Sequence, residues 1–258
     1  MKNKRALVCG SSKGIGAAAA IELSKLGASI ILLARNEDSL SEVLSKLDES
    51  RNQSHSYLIA DFDNPKELRI KIQEYLTSNP SIDILINNSG GPKPSPIIDS
   101  KIDDFINAFN RHLICNHILV QEFVPDMKKK KFGRIINITS TSVKEPIKGL
   151  GISNTIRGAV ANWAKTLSFE LGEFGITVNN ILPGYTDTQR LQEIFLTKSK
   201  NNNFDIETII SDAHAQIPLG RFADPKETAK AICFLASEDA SYINGINLPV
   251  DGGRLSTL

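Results

Sequence analysis

A glycine-rich turn near the N-terminus has the residues needed to hold a pyrophosphate. Residues 9–16 read Cys-Gly-Ser-Ser-Lys-Gly-Ile-Gly, follow a short apolar run and open a helical pattern. In this setting Gly10 permits a tight turn, Gly14 lets the backbone approach a phosphate, and Gly16 lets the helix pack closely on the strand. The helix N-terminus then offers free amides to the phosphates. A glycine-rich turn can also be purely structural, which is the alternative interpretation.

Basic residues near this turn indicate a cofactor that carries a 2′-phosphate. Arg35 follows the second apolar run, where an acidic residue would select a free ribose hydroxyl and an arginine accommodates a phosphate. Lys13 adds a positive charge within the turn, so together they favour NADP(H) over NAD(H). Arg35 could instead be a solvated residue at a loop start. Asp61 could bond an adenine edge or cap a turn, and Asn87–Gly90 could meet a ligand or form a plain turn.

Composition narrows the classes of function. The chain has 258 residues, and 30 basic against 29 acidic residues leave a net charge of +1. That balance leaves no excess of positive charge that would indicate binding to nucleic acid or to an anionic membrane. No apolar stretch reaches the roughly 20 residues that span a bilayer, so we expect a cytoplasmic protein. Cys9, Cys115 and Cys233 lie apart in apolar surroundings and the histidines show no ligand spacing, so we expect reduced core thiols and no metal.

The elements that must position these residues alternate along the whole chain. Apolar runs separated by helical periodicity predict βαβ units and a single α/β domain over residues 1–258, with a parallel sheet. The predicted strands are Ala6–Cys9, Ser29–Leu33, Ser56–Ala60, Ile82–Ile86, Arg134–Ile138, Thr177–Leu182 and Asn247–Val250. The predicted helices are Gly14–Leu26, Asp38–Ser50, Pro65–Thr77, Ile102–Lys130, Ser153–Glu173 and Pro225–Ala236, the last with Asp224 as its N-cap.

Residues 187–215 have weak core character and contain three consecutive asparagines, Asn201 to Asn203. They follow the sixth strand, so in a parallel α/β sheet they lie over the crevice at the strand ends. A mobile lid over a bound ligand and a disordered polar insertion are both compatible with this composition.

Taken together, these motifs resemble the short-chain dehydrogenase/reductase family, near its 3-oxoacyl-[acyl-carrier-protein] reductases. The resemblance covers Arg5 to Gly253, where six segments occur in the order and at the spacing of the family. They are the turn at 10–16, Asp61, Asn87–Gly90, Gly133–Ser140, Thr177–Gly184 and Leu248–Gly253. The resemblance implies a doubly wound Rossmann-type domain with seven parallel strands in the order 3-2-1-4-5-6-7. It also implies a homodimer or homotetramer that packs through residues 249–253.

The same resemblance implies NADP(H) as cofactor and a small-molecule substrate, a carbonyl compound or an alcohol. The cofactor supplies the hydride. The residues expected to contact it are Gly10, Ser12, Lys13, Gly14, Ile15, Gly16, Arg35, Asp61, Phe62, Asn88, Gly90, Arg157, Pro183, Gly184, Thr186 and Thr188.

The catalytic positions depart from the family pattern of a serine, a tyrosine, a lysine and an asparagine. Ser140 matches the serine, whereas Ser153 and Arg157 occupy the tyrosine and lysine positions. His112 occupies the asparagine position on the preceding helix. An aliphatic hydroxyl is much harder to ionise than a phenol, whose pKa is about 10. Arg157 keeps its charge and can fork to ribose hydroxyls. The resemblance therefore implies a divergent branch without the usual tyrosine and lysine.

Another group must then donate the proton in any reduction. His112 is a common type of general acid or a packed core histidine, and Tyr185 offers a phenol or a pocket wall. Lys144 and Glu145 are further candidates. Two functions follow: an NADP(H)-dependent oxidoreductase, for example of a 3-oxoacyl thioester, or a non-catalytic dinucleotide-binding sensor or partner subunit. We favour the enzyme, because Ser140 has no obvious purpose in a mere binder.

Overall fold

Short runs of isoleucine, leucine and valine form one parallel sheet. The computed structural model describes residues 1–202 and 205–257. The strands are β1 (Arg5–Cys9), β2 (Ser29–Ala34), β3 (Ser56–Ile59), β4 (Ile84–Asn87), β5 (Gly133–Ile138), β6 (Ile176–Pro183) and β7 (Asn247–Val250). All neighbours are parallel, in the order β3-β2-β1-β4-β5-β6-β7. This confirms the predicted α/β fold and strand order.

Helices cover both faces of the sheet. They are α1 (Gly14–Lys25), α2 (Glu37–Leu44), α3 (Pro65–Ser78), α4 (Ile102–Phe109), α5 (Cys115–Lys130), α6 (Gly151–Leu171), α7 (Gln189–Asn202), α8 (Ile206–Ala215) and α9 (Pro225–Ala236). α9 begins as predicted, with Asp224 and Glu227 in a capping box. The predicted helix Asp38–Ser50 is too long, because the backbone N–H of Asp48 donates to Ser24 Oγ at 3.0 Å instead of continuing the helix. Over the described ranges, no helix is long and apolar enough to cross a membrane.

Alternate residues of each strand pack into two separate apolar layers. On one face Ala6 and Val8 pack with α1, α2 and α9, and on the other Leu7 and Cys9 pack with α3, α5 and α6. Burial on both faces explains why the strands are continuous apolar runs in the sequence. The three cysteines are free and buried, as predicted, and burial raises the pKa of each thiol.

The predicted helix Ile102–Lys130 is interrupted in its middle. A π-helical turn, Asn110–Ile114, joins α4 to α5. Such a turn holds an extra residue and rotates the side chains that follow around the helix axis. Here it carries His112, whose exposed fraction is 1%, into the interior. No glycine or proline marks the turn in the sequence, so prediction from periodicity gave one long helix.

Residues 187–215 form two helices with a small apolar core. Leu191 and Phe195 on α7 are buried against Ile209 and Ala213 on α8. Because the described part of this segment is helical and packed, a disordered polar insertion is the wrong interpretation of it. Asn203, the last of the three asparagines, lies outside the described residues.

Candidate active site

A crevice lies at the sheet edge where β1 and β4 are neighbours. The chain proceeds from β1 outward to β3 and then returns to β4 on the other side of β1. Open α/β sheets bind ligands outside the carboxyl ends of the strands at such a switch point. A Cβ on Gly90 or Gly91, just after β4, would meet no atom within 4 Å. The crevice is therefore open beside the glycine turn.

The glycine turn has the geometry that the sequence predicts. Gly10 and Gly14 have φ of +58° and +59°, which favours glycine. A Cβ on Gly16 would lie 2.2 Å from the carbonyl oxygen of Gly10, so only glycine fits there. Asn88 donates through Nδ2 to the carbonyls of Cys9 and Gly10, both at 3.3 Å. The turn is thus held from β4, and α1 starts at Gly14 with its N-terminus beside the crevice.

Three further contacts fix this turn, and one was missed by sequence reasoning. Ser11 is fully buried, and its Oγ accepts from the backbone N–H of Leu33 at 2.9 Å, which joins the turn to β2. In the sequence, only the presence of a hydroxyl side chain within the turn could have indicated this contact. Exposed Lys13 donates to Gln189 Oε1 at 3.0 Å, and a Cβ on Gly14 would lie 3.3 Å from Thr188 Cγ2. Both of these contacts reach the start of α7. The other predicted residues of the turn, Ser12 and Ile15, are half-buried.

Arg35 stands at the end of β2 with 68% of its side chain exposed, so it is accessible to a ligand. Its Nη1 lies 3.7 Å from Asp61 and 3.8 Å from Asp63. Arg35 and Asp61 therefore lie close together at the carboxyl ends of β2 and β3, and Asp61 Oδ1 also accepts from the backbone N–H of Asp63 at 2.9 Å. The side chain of Phe62 is buried in the core, and its carbonyl accepts from Cys115 Sγ at 3.3 Å. Only its backbone N–H is left to meet a ligand.

Ser140 and Arg157 are both placed near the end of β5, Ser140 along the chain and Arg157 through a hydrogen bond. Ser140 Oγ accepts from the backbone N–H of Ser142 at 3.1 Å, which leaves the hydroxyl hydrogen free to donate. Arg157, on α6, donates through Nη1 to the carbonyl of Ile138 at 2.7 Å. Burial lowers the pKa of its guanidinium to about 10, so the group remains charged at neutral pH. Ser153 is half-buried on α6, one helical turn before Arg157.

His112 is hydrogen-bonded to a residue that the sequence analysis did not single out. Its Nδ1 lies 2.6 Å from Ser89 Oγ, while the buried Nε2 has no partner among the described residues. Burial, then the charges of Arg157 and Arg111, hold the pKa of His112 well below its ordinary value. This burial fits the interpretation of His112 as a packed core histidine. The signal for Ser89 was its place, directly after two asparagines at the end of β4.

The segment after β6 covers the crevice from the other side. The backbone N–H of Gly184 donates to Val250 at 3.0 Å, and a Cβ there would lie 2.7 Å from Asp251 Cα. Thr186 is buried, and Thr188 Oγ1 accepts from the backbone N–H of Leu191 at 3.3 Å at the start of α7. Pro183, the last residue of β6, is half-buried.

Tyr185 belongs to the aromatic cluster under α7 and α8. Its ring lies 5.9 Å from that of Phe195 and 5.8 Å from that of Phe222, and the Arg254 guanidinium lies over it at 4.9 Å. A cavity of about 730 Å³ opens in this region, lined by residues that include Phe195, His214 and Phe222. None of its lining residues is Ser140, Arg157 or His112. Tyr185 packs against two of the lining residues, Phe195 and Phe222, but does not itself line this cavity.

The chain is similar over its whole length to known reductases. The family profile described as Enoyl-(Acyl carrier protein) reductase matches residues 10–254. The NADPH-dependent reductase BacG of Bacillus subtilis (strain 168) is 29% identical over 259 residues, which cover 100% of both chains. The 3-oxoacyl-[acyl-carrier-protein] reductase FabG of Rickettsia prowazekii (strain Madrid E) is 33% identical over 255 residues, 99% of this chain and 98% of the relative.

Solved structures share the fold. YwfH, an NADPH dependent reductase involved in bacilysin biosynthesis, has a TM-score of 0.93 at 30% identity and covers 100% of both chains. L-Sorbose reductase from Gluconobacter frateurii, complexed with NADPH and L-sorbose, has a TM-score of 0.92 at 30% identity, with coverage of 100% and 98%. With a family profile matched from residue 10 to residue 254 and a relative at 33% identity across nearly its whole length, this chain belongs to the short-chain dehydrogenase/reductase family of oxidoreductases.

Proposed function

We propose that the chain is an NADP(H)-dependent oxidoreductase that reduces a carbonyl compound or oxidises the corresponding alcohol. The main support is the cluster at the carboxyl end of β5. There Ser140 follows the last residue of β5 by two positions, and the half-buried cation of Arg157 donates to the carbonyl of that last residue, Ile138. A hydroxyl donor and a fixed positive charge in a poorly solvated place suit an oxyanion that develops on a substrate.

The residues around the crevice fit a phosphorylated dinucleotide. The glycine turn is packed so closely that a Cβ at position 10 or 16 would collide with Asn88 or with the carbonyl of Gly10, and exposed Arg35 can pair with a 2′-phosphate. Arg157 would bond the ribose hydroxyls, and the bound cofactor would supply the hydride. The NADPH named for BacG, YwfH and sorbose reductase supports this choice over NAD(H). The remaining proposed contacts are Ser12, Lys13, Gly14, Ile15, Asp61, Phe62, Asn88, Gly90, Pro183, Gly184, Thr186 and Thr188.

In this proposal Ser153 and Arg157 stand where other family members carry the tyrosine and the lysine. Ser140 orients the substrate oxygen, and Arg157 balances its negative charge without giving up a proton. The aliphatic hydroxyl of Ser153 is a poor substitute for an ionisable phenol, because in the described part of the chain no titratable group is recorded behind it to return its proton. The site therefore has groups that stabilise an oxyanion, Ser140 and Arg157, but lacks an efficient acid at the tyrosine position to protonate it.

That imbalance favours a second candidate reaction, hydride addition to a C=C bond conjugated with a carbonyl group. Addition to a simple ketone gives an alkoxide, a strong base that needs an acid at once. Addition to a conjugated enone or enoyl thioester gives an enolate, a much weaker base that Ser140 and Arg157 can hold until a proton arrives. The description of the matched family profile as an enoyl reductase supports the same candidate.

The test is NADPH oxidation, followed by the loss of its absorbance after binding has been measured by fluorescence titration. The panel contains short 3-oxoacyl thioesters, diketones and aldehydes on one side and 2-enoyl thioesters and cyclic enones on the other. Turnover of the first group supports the carbonyl reductase, and turnover of the second group alone supports the conjugate reductase. Ser140→Ala is the control for turnover at this site, because it removes only the donor hydroxyl.

The non-catalytic alternative makes a different prediction. A dinucleotide-binding sensor or partner subunit would bind NADPH and oxidise it with no member of the panel. Ser153→Tyr combined with Arg157→Lys then tests the assignment of these two positions. If they are the tyrosine and lysine positions, the double variant gains reduction of 3-oxoacyl thioesters that the natural chain reduces slowly or not at all.

Assembly and covering of the site are proposed as well. Residues 187–215 would act as a lid, since Lys13 and Arg190 tie the start of α7 to the glycine turn and to the carbonyl of Pro92. β7 forms one edge of the sheet, so residues 249–253 are placed to pack against a second copy in a homodimer or homotetramer. Multi-angle light scattering gives the copy number. A cytoplasmic location and the absence of a metal cofactor also stay predictions.

A further inference from the structure

We propose that Ser89 and His112 form a neutral proton-relay pair, in which the Ser89 hydroxyl protonates the reduced substrate and is reprotonated from Nδ1 of His112. This inference rests on the proposed reductase function and supplies the proton source which that function lacks.

The geometry of the pair supports it first. Ser89 Oγ and His112 Nδ1 are 2.6 Å apart, a short hydrogen bond through which a proton can move in either direction. Ser89 follows β4 at the switch point, next to Gly90, where the crevice is open. Its side chain is half-buried, whereas His112 is buried. Ser89 is therefore the member of the pair that can reach a ligand, and His112 is the member behind it.

The charges around the ring favour a relay without an imidazolium ion. Arg157 faces His112 from α6 and Arg111 from the same π-helical turn, and Arg111 is itself bound to Asp63 at 2.5 Å. Two neighbouring cations and burial keep the imidazole uncharged. A neutral imidazole carries a proton on one nitrogen and accepts one on the other. It can therefore pass on a proton by exchanging its two neutral tautomers.

Proton entry requires a partner for the far nitrogen. Nε2 of His112 and Oδ1 of Asn87 are both buried and without partners among the described residues. Asn87 lies two positions before Ser89, whose Oγ is hydrogen-bonded to Nδ1 of His112. Unpaired buried polar atoms of this kind are the usual partners of an internal water. We infer that one water bonded to Asn87 Oδ1 and His112 Nε2 feeds the relay.

The bound cofactor would supply a hydride to the electrophilic carbon, and the carbonyl π pair would move to the substrate oxygen to give an alkoxide or an enolate. The Ser89 O–H bond breaks as the substrate O–H bond forms, and the Nδ1–H bond of His112 breaks as the Ser89 O–H bond is restored. Nε2 takes a proton from the water, and the resulting hydroxide is neutralised by exchange with solvent. The ring ends with its proton on Nε2. Between turnovers Ser89 passes its hydroxyl proton to Nδ1 and takes another from solvent in the crevice, while Nε2 returns its proton to the water.

Two other hydroxyl groups are worse placed for this role. Ser140 is bonded to the backbone of Ser142, with no titratable group recorded behind its oxygen to return a proton. Tyr185 is packed among Phe195 and Phe222. Of these three hydroxyls, only that of Ser89 is hydrogen-bonded to an imidazole in the described chain.

The first arm of the test does not depend on turnover. The protein, with its four histidines labelled with ¹⁵N in the ring, is studied by NMR, and His112→Asn assigns the His112 signals. We expect a neutral ring from about pH 5.5 to 8, and a changed Nδ1 shift in Ser89→Ala but not in Ser95→Ala, which removes a hydroxyl further along the same loop. A cationic ring at neutral pH, or signals indifferent to Ser89→Ala, would overturn the proposal.

The second arm uses whichever substrates the natural chain reduces. Ser89→Ala and His112→Asn should each lower kcat by about 100-fold and leave the NADPH dissociation constant within about twofold. Asparagine can still bond Ser89 but cannot exchange tautomers, and Ser89→Thr, which keeps the hydroxyl, should keep most of the rate. The solvent deuterium isotope effect on kcat should be largest in the natural chain. Rates within about threefold of the natural chain in both variants would overturn the relay.

The two arms separate this inference from the function on which it rests. If the natural chain binds NADPH but reduces nothing in either substrate group, the proposed function fails and the relay role fails with it, whatever the NMR signals show. If turnover is found and the variants keep it, the function stands and the relay alone is overturned.

Discussion

The guanidinium of Arg157 donates to the main-chain carbonyl of Ile138 across 2.7 Å, which ties α6 to the last residue of β5. Over the described residues no carboxylate lies within 4.0 Å of this cation. A half-buried charge without a counter-charge is held at a cost in stability, and the same charge is available to a bound anion or oxyanion. Stability and binding therefore oppose each other at this residue.

Arg157→Met should stabilise the protein and weaken NADPH binding. The lowering of the Arg157 pKa from 12.5 to about 10 corresponds to roughly 3 kcal/mol of lost stability, present at every pH below the lowered value and lost only above it. The lost hydrogen bond to Ile138 offsets part of the gain. We expect a melting temperature higher by about 2–6 °C, measured by scanning calorimetry, and at least a tenfold weaker NADPH complex, roughly 1.4 kcal/mol. Arg157→Lys keeps the charge and should give no stabilisation, and a lower melting temperature in Arg157→Met would contradict the argument.

Arg35→Ala should remove the preference for NADPH over NADH. A charge-assisted bond to the 2′-phosphate is lost, so the NADPH dissociation constant should rise about tenfold while that of NADH stays unchanged. Because Arg35 is exposed and its distances to Asp61 and Asp63 are long, the melting temperature should not move. Fluorescence titration with both cofactors measures the ratio, and Arg35→Lys is the matched control. An equal loss for both cofactors would place the 2′-phosphate elsewhere.

A row of asparagine amides crosses four strands of the sheet. Asn87 donates to Asn137 at 2.8 Å, Asn137 to Asn180 at 3.0 Å, and Asn180 to Asn247 at 2.8 Å. The strand register places these four residues directly opposite one another. The first three are buried and Asn247 is exposed.

Asn137→Ala should therefore destabilise the fold far more than Asn247→Ala. The central change leaves two buried amides without partners, which costs about 2–4 kcal/mol, whereas the terminal change leaves only the amide of Asn180 without its acceptor and costs about 1 kcal/mol. Urea unfolding of both variants measures the difference. Similar values for the two would show that the row contributes nothing to stability.

The parallel α/β architecture could be predicted because β1, β2 and β4 contain continuous apolar runs and strands alternate with helices. The strand order was implied by the family resemblance. The glycine turn could be predicted because its backbone conformation excludes residues other than glycine. The positions of Asn88, Arg35 and Asp61 near this turn could also be predicted, because each follows a strand and the carboxyl ends of parallel strands lie at one edge of the sheet.

The contacts that join separate elements could not be predicted. The row from Asn87 to Asn247 depends on the register between strands. The apolar pattern of a strand buried on both faces does not determine which residue of the neighbouring strand lies opposite. The pair of Ser89 and His112 depends on a π-helical turn that has no composition of its own. The packing of α7 on α8 depends on a few apolar residues within a polar segment, which periodicity alone does not distinguish from a loop.

His112 should make the protein less stable as the pH falls. Its pKa in the folded chain is held below its ordinary value, so the unfolded chain takes up the proton first, near pH 6.5, and stability is lost as the pH falls from there. This loss amounts to roughly 1.4 kcal/mol between about pH 7.5 and 5.5. Urea unfolding at these two pH values should show a smaller difference in His112→Asn than in the natural chain. An unchanged difference would mean that the ring is already charged in the folded protein.

Gly16→Ala and Gly90→Ala should separate the formation of the turn from the occupation of the crevice. A methyl group on Gly16 collides with the carbonyl of Gly10, so that variant should lose about 1–3 kcal/mol of stability and its NADPH binding together. A methyl group on Gly90 meets no atom of the protein within 4 Å, so its melting temperature should stay the same. The NADPH dissociation constant should nevertheless rise by about fivefold or more, because the methyl group occupies space that the cofactor needs. Gly158→Ala, which also meets nothing within 4 Å but lies on α6, is the control and should leave binding unchanged. If Gly90→Ala binds NADPH as tightly as the natural chain does, the cofactor does not pass the end of β4, and the proposed placement of Ser89 beside the reacting atoms fails as well.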